Sequence, residues 1–216
     1  MKNETVAELS SRWKLLSWDI NKRLTEFKKV FKNSDEERIF AELAFCIFTP
    51  QSKAKSCWKS VEKLIEKQLL LRGTASSIAN TLEGVRFHNN KSSYLVLARK
   101  LFFKDGRLSL KPLIKSFKNP QDAREWLVKN IKGMGLKEAT HFLRNIGRCG
   151  DLAILDRHIL KNLVRCGVIP SVPKSLSKSV YLDIEAKMQA FSKKTGIPMQ
   201  HIDLLFWSNE AGEIFK

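Results

Sequence analysis

Apolar residues recur at every third or fourth position along most of the chain, whereas the two-residue alternation of a half-buried strand is almost absent. The first such run is a stripe made of Val6, Leu9, Trp13, Leu16, Ile20, Leu24, Phe27 and Phe31. This spacing predicts an amphipathic helix of about 25 residues that ends at Lys32 and Asn33.

A second helix is predicted directly afterwards, because Ser34 and Glu37 have the spacing of a capping box. Its apolar positions run through Ile39, Leu43 and Ile47, up to a stop at Pro50. Further helices are predicted between glycine, proline and asparagine breaks, at residues 52–67, 75–82, 90–103, 111–117, 120–131, 136–147, 157–166, 175–194 and 199–210. The pattern therefore indicates an all-α protein.

Two of these predicted helices, 120–131 and 136–147, are joined by a very short linker that consists of Lys132, Gly133, Met134 and Gly135. Pro120 suits the first turn of the first helix, where its missing N–H is harmless. Residues 120–147 are therefore predicted to form a helix-hairpin-helix.

The length of 216 residues is enough for a substantial core and for two helical lobes. We expect a central lobe of residues 33–149, which contains the hairpin, and a second lobe that combines residues 1–32 with 150–216. An active-site cleft is expected between them.

The net charge of +17, from 39 Lys and Arg against 22 Asp and Glu, favours a polyanionic partner such as nucleic acid. The alternative is a solvated lysine surface with no such partner. No apolar run is long enough for a membrane span, and no secretory leader precedes the first helix, so a cytoplasmic, nucleoid-associated protein is expected. The four cysteines, Cys46, Cys57, Cys149 and Cys166, lack metal-type spacing and are interpreted as core thiols.

Gly133 and Gly135 can take backbone angles that a Cβ would forbid, and they let the hairpin approach another surface closely. The amides of the hairpin and of the following helix start would then point toward one spot, where a phosphate is the natural ligand. An ordinary tight turn between two helices is the alternative.

Lys137 lies in the first turn of the second hairpin helix, where the helix dipole disfavours the ammonium form. A neutral amine there could attack an electrophilic sugar carbon and form a Schiff base. Asp156, 19 positions later, could be its carboxylate partner and is also a good helix N-cap. A surface lysine and a purely capping aspartate are the structural alternatives.

The hairpin, Lys137 and the Leu-Asp-Arg-His run that contains Asp156 resemble the helix-hairpin-helix DNA glycosylases. The resemblance is closest to the compact 8-oxoguanine DNA glycosylase/AP lyases of archaea and thermophilic bacteria. It covers nearly the whole chain and is also carried by the stretches 48–54, 85–91, 141–144 and 207–216. Only Cys166 follows Asp156, so the resemblance implies no iron–sulfur cluster.

The resemblance implies a role for each matching residue. Lys137 would attack C1′ of the damaged nucleotide, and Asp156 would assist its deprotonation and stabilise positive charge on the sugar. Gln51 would enter the duplex gap when the lesion is flipped out. Phe87 and Trp207 would hold the flipped purine, although both could be core residues. Lys216, with its terminal carboxylate, would contribute to lesion recognition, unless it is a frayed terminus.

The expected activity is excision of 8-oxoguanine from double-stranded DNA, followed by β-elimination through a Lys137 Schiff base, with no cofactor or metal ion. A monomer is the default expectation. Two alternatives stay open: a related glycosylase for another oxidised base, and a non-catalytic DNA-binding protein that uses the hairpin to grip the backbone.

Overall fold

The computed structural model describes residues 4–104 and 106–211, with side chains up to residue 208. The helices in this part of the chain are α1 (Val6–Asn33), α2 (Glu36–Phe48), α3 (Ala54–Glu66), α4 (Leu69–Arg72), α5 (Ala75–Ala79), α6 (His88–Phe102), α7 (Leu110–Ser116), α8 (Pro120–Asn130), α9 (Leu136–Asn145), α10 (Arg157–Arg165), α11 (Lys178–Thr195) and α12 (Met199–Ala211). Two short antiparallel strands, β1 (Phe103–Lys104) and β2 (Arg107–Leu108), lie between α6 and α7. The all-α prediction is confirmed.

The chain divides into two compact units. The first unit comprises Met1–Phe27 and Cys149–Lys216, and the second comprises Lys28–Arg148. The boundary between them along the chain falls within α1. The hairpin α8–α9 therefore belongs to the second unit, and α10, α11 and α12 belong to the first.

Helix α2 is the central element of the second unit, where it packs against α3, α6, α7 and α9. Every side chain from Ile39 to Phe48 is buried, so the helix is enclosed on all sides and not along one stripe. Glu42 is the charged residue within this buried run. Its carboxylate pairs with Arg38 at 2.8 Å and accepts a hydrogen bond from Asn145 of α9 at 3.2 Å, which compensates for its burial.

Three local predictions differ from the structure. The N-cap of α2 is Asp35, whose carboxylate accepts the Arg38 amide at 2.8 Å, and not Ser34. Asp and Ser cap equally well, and the carboxylate adds a favourable interaction with the helix dipole. Helix α4 and the β1–β2 hairpin were not predicted, because elements of four and two residues are too short to show a period.

The first unit is held together by the N-terminal part of α1 and by packing of α12 against α10 and α11. Trp13 of α1 donates its indole N–H to Nδ1 of His201 on α12 at 3.0 Å, which joins the two ends of this unit. None of the helices in the described part of the chain, including the 28 residues of α1, has the length and hydropathy that a bilayer crossing requires.

Candidate active site

The hairpin between α8 and α9 forms as predicted, with Pro120 in the first turn of α8 behind the N-cap Asn119. Gly133 has a φ of +83°, a backbone conformation that side chains with a Cβ rarely adopt. A Cβ at this position would also lie 2.3 Å from Cδ2 of Tyr94 on α6. Gly133 is therefore required both by the turn and by the close approach of an aromatic ring.

Gly135 does not have the special conformation that the sequence analysis expected. Its φ of −96° and ψ of −175° are ordinary extended backbone, because it is the N-cap of α9. Its amide N–H donates to Oε2 of Glu138 at 3.2 Å, which is the backbone half of a capping box. The Gly135 amide is thus bonded to a carboxylate of the same chain, and the prediction that the hairpin amides point toward a phosphate is wrong at this position.

Lys137 is the second residue of α9, and its side chain is 24% exposed. Its Nζ lies 3.0 Å from Oε1 of Glu138, so one carboxylate contacts both the amine and the Gly135 amide. Glu138 received no role in the sequence analysis. Its position three residues after the N-cap Gly135 is the signal that could have identified it.

Gln51 and Phe87 both have left-handed backbone, with φ of 55° and 57°. They are two of the three non-glycine residues with positive φ in the described part of the chain, the third being Gln68. Such strain persists only where the surroundings enforce it, and it concentrates at functional sites. Gln51 is exposed, and Phe87 is 52% exposed, so Phe87 is not a core residue of the second unit.

The turns that carry Gln51 and Phe87 are bonded to each other. The hydroxyl of Ser52 accepts the amide N–H of Arg86 at 3.0 Å. The Arg86 guanidinium in turn lies 5.3 Å from the centre of the Phe87 ring. The structure therefore places two of the predicted lesion-contacting residues on adjacent, connected turns of the second unit.

Asp156 is the N-cap of α10, as predicted. Its Oδ1 accepts the amides of His158 and Ile159, both at 2.8 Å. Its Oδ2 accepts the indole N–H of Trp207 at 3.3 Å, and the His158 ring lies edge-on to that indole. Trp207 is half-buried, whereas its neighbour Leu204 is fully in the core of the first unit. The first unit thus brings Asp156 and Trp207 into contact.

The buried backbone just before Asp156, which has no regular secondary structure, is supported by two side chains of α11. Tyr181 donates its hydroxyl to the carbonyl of Ala153 at 2.6 Å and accepts the amide of Leu155 at 3.2 Å. Glu185 accepts the amide of Ala153 at 2.7 Å. No role was assigned to either residue from the sequence, because neither their burial nor their backbone partners can be read from it. The side chains of Tyr181 and Glu185 form hydrogen bonds with backbone groups that have no partner in a helix or sheet. These bonds fix the position of the Asp156 backbone.

The predicted site residues are distributed over both units. Gln51, Phe87, Lys137 and the two hairpin glycines belong to the second unit, and Asp156 and Trp207 belong to the first. Lys216 lies outside the described residues. Cys46, Cys57 and Cys149 are buried thiols, which confirms their interpretation as core thiols, whereas Cys166 is half-buried.

A family model described as 8-oxoguanine DNA glycosylase matches residues 20–197 of the chain. A protein of Fusobacterium nucleatum named 8-oxoguanine DNA glycosylase/AP lyase is 46% identical over 215 residues, which are 100% of this chain and 99% of that protein. A protein of the same name from Methanocaldococcus jannaschii is 39% identical over 197 residues and 91% of each chain.

Solved structures show the same similarity in three dimensions. The crystal structure of the Thermotoga maritima 8-oxoguanine DNA glycosylase matches with a TM-score of 0.85 at 33% identity and covers 98% of each chain. The Methanocaldococcus jannaschii 8-oxoguanine glycosylase/lyase, in complex with a 15mer DNA containing 8-oxoguanine, matches with a TM-score of 0.84 at 36% identity, over 95% of this chain and 98% of that one.

Proposed function

The chain belongs to the 8-oxoguanine DNA glycosylase family, and on that premise we propose that it excises 8-oxoguanine from double-stranded DNA and then cleaves the strand as an AP lyase. The observation that carries the proposal is the 46% identity to a glycosylase/AP lyase over the full length of both chains. The placement of Lys137 in the first turn of the hairpin helix supports it, because lyase chemistry needs an amine nucleophile held on a rigid element.

Lys137 is the proposed nucleophile. Its neutral Nζ attacks C1′ of the damaged nucleotide, a C–N bond forms, and the bond from C1′ to the base breaks with the base leaving as its protonated form. Opening of the sugar ring gives a Schiff base between Nζ and C1′. Loss of a proton from C2′ then expels the 3′ phosphate by β-elimination. Water hydrolyses the imine at the end and releases the lysine.

Asp156 is the proposed carboxylate partner for the charge that develops on the sugar. Its Oδ1 is held by two backbone amides and its Oδ2 by the Trp207 indole, so the carboxylate has a single orientation. A charged group fixed in advance stabilises a transition state without the cost of reorganising at the moment of reaction. The support from Tyr181 and Glu185 behind it contributes to the same rigidity.

The proposed lesion contacts come from Gln51, Phe87, Trp207 and Lys216. Gln51 would fill the gap in the duplex, since it is exposed on a strained turn, and Phe87 and Trp207 would each contact the flipped base. Lys216 would contribute to recognition of the lesion, which carries a hydrogen at N7 that guanine lacks. Gly133 and Gly135 would contact the DNA backbone through close approach of the short linker and not through the Gly135 amide, which is bonded to Glu138.

Borohydride trapping on a duplex with a single 8-oxoguanine tests the function directly, because borohydride reduces the Schiff base to a stable protein–DNA bond. We expect an adduct with the wild-type chain and none with Lys137→Gln. Lys193→Gln, which changes an exposed lysine at the end of α11, is the matched control and should trap like the wild type.

Three other outcomes would contradict the proposal in different ways. Trapping only on an oxidised pyrimidine would assign another lesion. Tight DNA binding by the folded wild-type chain with no adduct on any lesion would indicate a non-catalytic protein. An undiminished adduct with Lys137→Gln would assign the nucleophile to another amine.

A further inference from the structure

Lys91 is a lysine whose ammonium group is enclosed within the second unit. It lies in the first turn of α6 and is only 4% exposed. Its Nζ donates to the carbonyl of Phe48 at 2.6 Å, to the carbonyl of Pro50 at 2.6 Å and to the hydroxyl of Ser52 at 3.1 Å. All three hydrogens of the ammonium are therefore directed to one short turn, the turn that contains Gln51.

Ser52 connects the turn that contains Gln51 to the turn that contains Phe87. Its Oγ accepts both from Nζ of Lys91 and from the amide of Arg86, the residue before Phe87. The backbone amide of Lys91 also donates to the carbonyl of Phe87 at 3.0 Å. One ammonium and one hydroxyl thus join the two turns that hold Gln51 and Phe87 in left-handed backbone.

We propose that Lys91 and Ser52 form a clamp that holds Gln51 and Phe87 in fixed relative positions for engaging the flipped nucleotide. Both are positioning residues, since neither is proposed to touch the reacting atoms. This inference rests on the function proposed above. It adds the side chains that hold Gln51 and Phe87 in their left-handed backbone conformation.

Burying an ammonium group costs desolvation free energy. A well-packed apolar side chain of similar volume usually stabilises the fold at least as much. Burial, the largest cause, and the nearby charges of Lys137 and Arg86 lower the pKa of Lys91 to about 8, against the opposing effects of Cys57 and Glu138. The charge is retained at neutral pH in a location that disfavours it. Multiple directed hydrogen bonds to a single turn are what a lysine supplies here and an apolar residue does not.

The first experiment compares two substrates under single-turnover conditions. One is a duplex with 8-oxoguanine, whose base must be unstacked and held, and the other is a duplex with a preformed abasic site, which has no base to hold. Ser52→Ala removes the hydroxyl that accepts hydrogen bonds from Lys91 and Arg86, and Lys91→Met removes the ammonium group. Ser56→Ala, on α3, and Lys100→Met, exposed on α6, are the matched controls.

For Ser52→Ala we expect excision of 8-oxoguanine to slow by about tenfold, the equivalent of one hydrogen bond. For Lys91→Met we expect a loss of about 100-fold, because a misplacement near 1 Å can have that effect. Cleavage of the abasic duplex should change less than about threefold in Ser52→Ala, because that change alters no charge near the hairpin lysine. Equal slowing on both substrates, or no slowing on either, would overturn the clamp.

A second measurement does not depend on catalysis. Amide hydrogen exchange in the free protein should become faster in both turns, residues 49–52 and 86–91, in Ser52→Ala and in neither turn in Ser56→Ala. Unchanged exchange would refute the coupling of the turns. Faster exchange without selective loss of 8-oxoguanine excision would refute the positioning role. If the wild-type chain failed to excise 8-oxoguanine, the proposed function would fall, while the exchange result would still decide whether the clamp exists.

Discussion

Replacing Gly133 by alanine is the sharpest test of how the hairpin is built, because the structure gives two independent reasons for glycine there. The φ of +83° is one reason, and the position of the Tyr94 ring is the other. The new Cβ would stand 2.3 Å from Cδ2 and 2.7 Å from Cε2 of that ring, closer than carbon atoms approach in proteins. Either the ring or the hairpin would have to move.

The expected loss of unfolding free energy follows from these two effects. Left-handed backbone costs a non-glycine residue roughly 1–2 kcal/mol. Accommodating the overlap with a packed ring costs about 1–3 kcal/mol. The reduced freedom of alanine in the unfolded chain returns about 0.4–1 kcal/mol. Gly133→Ala should therefore destabilise the protein by about 1–5 kcal/mol.

Gly135→Ala is the matched control, two residues away in the same linker. Its backbone is ordinary, and a Cβ would meet only the end of the flexible Glu138 side chain, at 3.1 Å. The change in unfolding free energy should stay within about 1 kcal/mol of zero. The two variants thus separate the hairpin's structural need for glycine from any contact with DNA.

Urea denaturation in the absence of DNA measures both changes, through the shift in midpoint at constant slope. Combining Gly133→Ala with Tyr94→Ala in a double-mutant cycle isolates the overlap, and the alanine penalty should fall to about 0–2 kcal/mol when the ring is absent. Equal stability of Gly133→Ala and Gly135→Ala, or a penalty that is independent of Tyr94, would refute this account of the hairpin.

Two further predictions concern single charged groups. Asp156→Asn keeps the N-cap acceptor but replaces the acceptor of the Trp207 indole N–H by an amide donor, so it should lose about 1 kcal/mol of unfolding free energy together with 8-oxoguanine excision. Asp156→Ala removes the cap as well and should lose about 2 kcal/mol. An Asn variant that still excises 8-oxoguanine would exclude a catalytic carboxylate. Because burial lowers the pKa of Lys91 from 10.5 to about 8, the unfolded chain holds a proton there between these pH values that the folded chain has released. The unfolding free energy of the wild type, measured relative to Lys91→Met, should therefore rise by roughly 2–3 kcal/mol from pH 8 to pH 10.5, and a flat difference would contradict the assigned shift.

The local features of this protein were readable from its sequence because each depends on residues that are close along the chain. The period of the apolar stripe in α1, Pro120 behind Asn119, the short linker at Gly133 and the cap at Asp156 are of this kind. Helix type and hairpin formation follow from such short-range rules. Errors occurred where two local solutions were equally good, as for the N-cap of α2, or where an element was too short to show a period.

The all-α class, the hairpin and the residues proposed for the chemistry could all be predicted from the sequence. Which of these residues lie in strained or supported positions depends on how distant segments pack. Lys91 looked like any of the 39 basic residues until folding brought the carbonyls of Phe48 and Pro50 around it. Tyr181 and Glu185 likewise became supports for Asp156 only when α11 packed beside the buried segment before α10. The physical reason is the same in both cases: burial and hydrogen bonding between distant segments are properties of the folded chain, and no local pattern encodes the partner.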